Sequence, residues 1–475
     1  MTRNNSRIYL IILIVAVSAG LLFYRLSDLM SFFGDQGWFY ISARDMLLTG
    51  NIPLVGIASS HPWLHQGPVW TYTLAIIFSL THFNPLAPGY FSAGLGVITV
   101  CFVYLVGKRM FSVTTGLIAA FLYATSPLVI ITMREPYHTS FIPLFVLAFI
   151  YVLYKWLSGN RKYFPVSILL VACLYNFEIS TTPFTLILIL SLAFGIWKKQ
   201  KYTTLLANKK ILITSFFAWL IPMMPMLFYD RTHGFPQTIK FVLWLGYRFA
   251  RLFGYPDIHN DTVFAPLAPF LPFTFTKLQD LLFLPQETIA VVLFIVIFII
   301  NSYFVYHSIK AKKTNTALIP LYLCFIVPFG GYIALQTSSD AYWPMLFPAS
   351  ILVFAVVFEK VFMKKRFLFI GVIFLLLLGG LNAYTLVKNS YLMTYNNYGY
   401  PFDQRLTVAK KIITQAKGKK YTIMGKGAGS KFPSFITPYT YLTWSLGHGP
   451  STKPEKLKFI VTENKEKIIL TQKND

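Results

Sequence analysis

The stretch IYLIILIVAVSAGLLFY occupies residues 8–24, and Gly34-Asp35-Gln36-Gly37-Trp38-Phe39-Tyr40 follows shortly beyond its end. The first stretch is long and apolar enough to cross a bilayer, and the second sets a carboxylate at its outlet. Charged residues make up only 12% of the 475-residue chain. Desolvating an ionised group costs several kcal/mol, so an acid at a membrane edge implies a function unless the backbone satisfies it.

The rest of the chain repeats this apolar pattern. Hydrophobic residues make up 55% of it, and the mean hydropathy is +0.57. These values describe a polytopic membrane protein. Abundant Phe (45) and Tyr (29) suit a chain with two water–lipid interfaces. The formal charge of +25 is carried, outside the C-terminal tail, in short clusters between apolar runs. They read as topology determinants, not as a nucleic-acid surface. Cys101, Cys173 and Cys324 all fall inside apolar runs, which argues against a disulfide framework or a cysteine metal cluster. Residues 1–7 and the run after them have the charge order of a signal peptide without a small-residue cleavage site, so a retained anchor is expected.

Apolar runs lie at 8–24, 89–107, 113–131, 139–157, 164–179, 182–197, 211–229, 287–308, 317–336, 343–362 and 366–387, with a shorter run at 68–82. Basic clusters sit at Arg3/Arg7, Lys108/Arg109, Lys155/Arg161/Lys162, Lys198/Lys199/Lys201, Lys209/Lys210, Lys310/Lys312/Lys313 and Lys364/Lys365/Arg366. All fall on the cytoplasmic side if 68–82 is a re-entrant or interfacial helix, which predicts an all-α bundle of about eleven spans. The outer face then receives a large first loop (25–88), Met133 to Thr139, the break near Glu178, the loop 230–286, the turn near Asp340 and the tail. The acids Asp35, Asp45, Glu135, Glu178, Asp230, Asp257, Asp261 and Asp340 collect there. Residues 1–387 are read as the membrane domain and 388–475 as a small extracytoplasmic α/β domain. In the latter, Phe402 to Ala416 has helical spacing, and Lys420 to Met424, Leu457 to Thr462 and Lys467 to Leu470 read as strands. Its many lysines suit contact with anionic head groups or phosphates.

Four ordered blocks carry a family resemblance. They are Gly34-Asp35-Gln36-Gly37-Trp38, His65-Gln66-Gly67-Pro68-Val69-Trp70-Thr71-Tyr72, Val103 to Phe111, and Thr125 to Val129 leading into Met133-Arg134-Glu135-Pro136-Tyr137-His138. In order and spacing, over roughly residues 8–160, they resemble the GT-C glycosyltransferases of the protein O-mannosyltransferase and aminoarabinose–lipid A transferase group. The resemblance implies a GT-C-like fold and transfer of a sugar from a polyprenyl-phosphate donor to a protein, lipid or glycan acceptor. It places the reaction on the outer face of the plasma membrane, with inversion at the anomeric carbon. Many relatives carry Asp-Glu where this chain has Asp35-Gln36.

That reaction needs a carboxylate to take the acceptor proton and cations to hold the departing phosphate. Asp35 is assigned as general base by its place in the motif; the competing role is a helix-cap carboxylate. Arg134, with its planar donor fork, is the first phosphate contact, and Glu135 beside it orients it or polarises the acceptor. His65, His138 and Tyr72 complete the donor-binding set, and Glu178 is the acceptor-groove candidate. Asp230-Arg231 reads as an exposed local pair. No His-x-x-x-His spacing on a helix points to a metal, and no cofactor is expected beyond the lipid-linked substrate. The alternatives are a lipid-linked glycan polymerase or ligase and, from another class, a transporter or flippase. A transporter calls for internal repeats and ionisable groups near the bilayer midplane, which the sequence lacks.

Overall fold

The computed structural model describes residues 3–59, 61–251, 253–255, 267–282, 286–310, 317–335, 338–388, 392, 400–464 and 466–474. Asp257, Asp261, Lys312 and Lys313 lie outside the described residues.

The membrane part is helical: α1 (Arg3–Phe23), α2 (Leu26–Leu29), α3 (Gly34–Thr49), α4 (Val69–Thr81), α5 (Ala87–Met110), α6 (Val113–Thr125) and α7 (Pro127–Met133). It continues with α8 (Ile142–Leu157), α9 (Tyr163–Phe177), α10 (Pro183–Trp197), α11 (Lys209–His233), α12 (Phe241–Arg251) and α13 (Leu267–Leu282). It closes with α14 (Glu287–Lys310), α15 (Leu318–Leu335), α16 (Phe347–Phe362) and α17 (Leu368–Lys388). Among the described residues seven helices are long and apolar enough to cross a bilayer, or eight if one bent pair counts as a span. The sequence-based figure of about eleven, which leaves α4 out as a re-entrant or interfacial helix, therefore rests partly on shorter helices, α9 and α15 among them. At thirteen residues, α4 extends only roughly 20 Å, short of a hydrocarbon core of about 30 Å.

The run read as one span at 113–131 is broken. α6 and α7 meet at 65° across Ser126. Ser126 is extended, its hydroxyl caps Val129 N–H at 3.4 Å, and Pro127 opens α7, a combination that ends one helix and starts another. The same hydroxyl donates to Leu281 O on α13 at 2.6 Å, which ties the break to a distant helix.

At one end of the bundle the segments expected to be outward do meet. Tyr137 reaches Asp35, Gln66 and His138 reach Glu178, Gln237 reaches His65, and Lys277 reaches Asp340. At the other end, Glu359 of α16 accepts the Ser112 hydroxyl at 2.6 Å and also the Thr115 hydroxyl, pinning α16 to the start of α6.

The tail forms α18 (Phe402–Ala416), β1 (Thr422–Lys426), α19 (Thr437–Ser445), β2 (Leu457–Glu463) and β3 (Ile468–Asn474). Sheet order is β1-β2-β3, with β1 parallel and β3 antiparallel to β2, and Ile423 opposite Phe459. Alternate residues of β2 turn inward, so Leu457, Phe459 and Val461 join Val408, Ile412, Tyr421 and Tyr439 in a separate small core.

This module packs directly on α3. Helix α19 and the turn before it lie so close that a Cβ at Gly37 would sit 2.5 Å from Pro438 N, and one at Gly34 would sit 2.7 Å from Ser434 O. Two of the motif's residues are thus glycines because another backbone occupies the space of a side chain. Tyr441, fully buried, stacks with Phe78 and donates to Phe83 O at 2.9 Å.

Candidate active site

The site begins with how α3 starts. Gln36 folds back so that its Oε1 accepts Phe33 N–H at 2.9 Å, while its Nε2 donates to Ser31 Oγ at 3.1 Å. This is the reach-back half of a capping box, normally made by Glu or Gln at the third helical position. The Gln at this position therefore has a local structural task. Asp35, one residue earlier, is left to face outward from the first turn, where the helix dipole favours a carboxylate.

Asp35 lines a cavity of about 120 Å³ together with Phe33, Thr132, Glu135, Tyr137 and Asp340. The Tyr137 hydroxyl donates to Asp35 Oδ2 at 3.4 Å. Glu135 is carried by the short turn after α7, and its carboxyl is pushed up to about 8 from the ordinary 4.5. Burial is the main cause, the Asp340 carboxylate adds to it and Lys277 opposes it. Glu135 is therefore largely protonated at neutral pH and can donate a hydrogen bond. Lys277 enters from α13 with its side chain 2% exposed, and Nζ lies 2.5 Å from Asp340 Oδ1. The cavity thus combines the Asp35 carboxylate at a helix start, the raised Glu135 carboxyl and Asp340, whose partner Lys277 is buried.

The other residues read from the sequence take different places. Arg134 is 3% exposed, and its Nη1 donates to Leu21 O and Leu22 O at 3.1 and 2.9 Å. Those carbonyls end α1 and lack helical partners, so the guanidinium caps a helix C-terminus and is not in the cavity lining. Burial lowers its pKa to about 10. Glu178 is 4% exposed and its Oε2 meets His138 Nε2 at 2.9 Å and Gln66 Nε2 at 3.1 Å, while Oε1 accepts Ser180 N–H. This buried cluster joins three loops, and His138 Nδ1 has no hydrogen-bond partner there.

His65 is half-buried against Tyr229 and Gln237, with burial holding its pKa below the ordinary value and His233 adding to the effect. Tyr72 donates to Pro53 O at 2.6 Å and so braces the first loop. Asp230 corrects the sequence reading. It is fully buried, and its oxygens accept Gln237 N–H at 2.7 Å and the Thr238 hydroxyl at 2.6 Å, so it organises the turn after α11 instead of pairing in solvent with Arg231.

Lys277 was missed by sequence reasoning. It sits within the loop read at 230–286, and a lone lysine in such a loop carries no signal of burial. Among the described residues no group of three or more His, Cys, Asp or Glu side chains is arranged to hold a metal ion.

A family model described as dolichyl-phosphate-mannose-protein mannosyltransferase matches residues 60–229, about a third of the chain. His65, Tyr72, Arg134, Glu135, His138 and Glu178 lie inside that segment and Asp35 outside it. No curated protein matches in sequence. Among solved structures the fold is similar to archaeal oligosaccharyltransferase AglB from Archaeoglobus fulgidus, in complex with an inhibitory peptide and a dolichol-phosphate. The TM-score is 0.55 at 13% identity, covering 94% of this chain and 64% of that one. The same oligosaccharyltransferase in complex with Zn and sulfate matches with TM-score 0.54 at 13% identity, covering 93% and 62%. ArnT from Cupriavidus metallidurans, bound to undecaprenyl phosphate, matches with TM-score 0.53 at 11% identity, covering 91% and 75%. This chain therefore spans less than two thirds of the length of the oligosaccharyltransferase it matches. Its fold is similar to that of these two transferases.

Proposed function

We propose that this chain, built on the GT-C fold, is an integral membrane glycosyltransferase that moves a sugar from a polyprenyl-phosphate donor to an acceptor hydroxyl, with inversion. The observation that carries the reading is the cavity lined by Asp35, Glu135 and Asp340, with Lys277 paired to Asp340 and the Glu135 carboxyl raised toward its neutral form. In the step, Asp35 takes the acceptor's proton as its oxygen attacks the anomeric carbon. The bond from that carbon to the phosphate oxygen breaks, and the polyprenyl phosphate leaves with the electron pair. Charge builds on the leaving phosphate, where Lys277 supplies a cation and Glu135 a hydrogen-bond donor. A second ionised carboxylate at Glu135 would repel that phosphate, so its raised pKa suits the role.

The basic clusters favour the cytoplasm for the opposite end of the bundle, which supports an orientation with this cavity on the extracytoplasmic face of the plasma membrane. The acceptor, whether protein, lipid or glycan, arrives from that side. A related reading, transfer of a preassembled lipid-linked glycan, is favoured by the fold's likeness to an oligosaccharyltransferase.

The deciding experiment presents radiolabelled polyprenyl-phosphate sugars and lipid-linked oligosaccharides to the protein in nanodiscs, with Asp35→Asn in parallel. Turnover of a monosaccharide donor that is lost in Asp35→Asn supports the proposal. Turnover of oligosaccharide donors alone selects the related reading, and undiminished turnover in Asp35→Asn removes Asp35 as base.

A further inference from the structure

The segment Met30–Gly37, which contains Asp35, is held from outside the membrane bundle at several points. Arg405 of α18 is 3% exposed, and its guanidinium is used on every side. Nε and Nη2 grip the two oxygens of Glu463 on β2 at 3.0 and 2.8 Å, and Tyr439 donates to the same carboxylate at 2.6 Å. Nη1 donates to Phe32 O at 2.5 Å and to Tyr400 O at 2.8 Å. Thr437 at the start of α19 donates to Gly34 O at 2.5 Å, and Phe402 N–H donates to Met30 O at 2.8 Å. Three carbonyls in five residues, on either side of Phe33, are therefore anchored to the C-terminal module, immediately before Asp35.

Such an arrangement does more than hold the module in place. The Glu463 fork fixes the guanidinium plane, and the fixed plane aims Nη1 at one carbonyl of an otherwise irregular segment. A displacement of that segment moves the Asp35 carboxylate relative to Glu135 and Lys277, and misplacement by about 1 Å can cost on the order of 100-fold in rate.

We propose that Arg405 is a positioning residue, which acts through the carbonyl of Phe32, with Thr437 acting through Gly34, to hold Asp35 at the cavity. This rests on the assignment of Asp35 as general base, so the test has one arm that needs no substrate. In that arm, hydrogen–deuterium exchange of the 30–37 amides is compared between wild type, Arg405→Lys and Thr437→Val. Arg405→Lys keeps a cation opposite Glu463 but cannot also reach Phe32 O, and Thr437→Val leaves the Arg405 network intact. Both variants are expected to speed exchange across 30–37 while β1, β2 and α5 keep wild-type protection. Wild-type protection at 30–37 in both variants overturns the proposal.

The second arm measures transfer kinetics. Each variant is expected to lower kcat by about tenfold with donor KM within about twofold, the signature of a group that orients the reacting residue. Faster exchange with unchanged kcat overturns the positioning role. If the wild type transfers no sugar from any donor, the assignment of the reaction fails, and the exchange arm still decides whether the module braces this segment.

Discussion

Lys277 Nζ lies 2.5 Å from Asp340 Oδ1, which joins α13 to the turn that precedes α16. Asp340 lines the cavity that also holds Asp35 and Glu135, and the pair acts on Glu135 from both signs, Asp340 raising its pKa and Lys277 lowering it. A cation already neutralised by one carboxylate can be shared with an incoming phosphate without being buried alone. Asp340→Asn removes that partner and leaves a buried ammonium without its carboxylate. We expect a loss of about 3 kcal/mol of stability, seen as a lowered melting temperature in detergent. Lys277→Met is expected to retain the fold and lower transfer by about 100-fold, measured as kcat/KM for the lipid donor.

Asp35→Asn keeps the shape of the side chain and removes the base. Turnover is expected to fall by about 100-fold or more, while binding of the lipid donor, read by tryptophan fluorescence or calorimetry, stays within twofold or so of wild type.

Glu135 carries a pH signature with a definite sign. Its pKa in the folded protein, about 8, stands above the ordinary 4.5, so between those values the folded state holds a proton that the unfolded state has released. Its contribution to stability is therefore fully present below about 4.5 and lost as pH rises toward 8. Glu135→Gln is expected to match wild type in thermal melts near the lower value and to become the more stable protein near the upper one. Parallel melting curves across that window would contradict the assignment.

Glu178 offers a way to separate a structural from an acceptor-facing role. It is buried and bonded to His138, Gln66 and Ser180. Glu178→Ala leaves these groups unpaired and is expected to cost about 2–3 kcal/mol of stability. Acceptor KM in the surviving enzyme is expected to stay unchanged, and a selective rise in that KM would return the residue to the acceptor groove.

Much of the fold is legible because its causes are local. Apolar runs of spanning length, a helical period at 402–416 and alternation at 457–462 each depend on neighbouring residues only, and α18 falls on the stretch expected. The break at Ser126–Pro127 was masked by continuous hydropathy, which does not register a 65° turn. At the site, the sequence pointed to Asp35 and Glu135 through a motif and an outward loop. It could not point to Lys277, whose meaning depends on Asp340, nor separate Arg134 as a phosphate contact from Arg134 as a cap on α1. A charged side chain reads the same in a sequence whether it meets a ligand or the last carbonyls of a helix. The glycines of the opening motif were similarly ambiguous, since their cause lies in residues near the other end of the chain.

That last separation governs how the protein can be made. The Arg405–Phe32 bond joins residues 373 apart, and the Thr437–Gly34 bond joins residues 403 apart. A nascent chain delivers the segment before α3 early in synthesis, and the groups that brace it emerge from the ribosome only after α17. Until then the first turn of α3 lacks its partners. Under the proposed role of Asp35, its bracing is a closing event of biogenesis, and a polypeptide cut short after α17 is expected to insert its helices normally and remain inert.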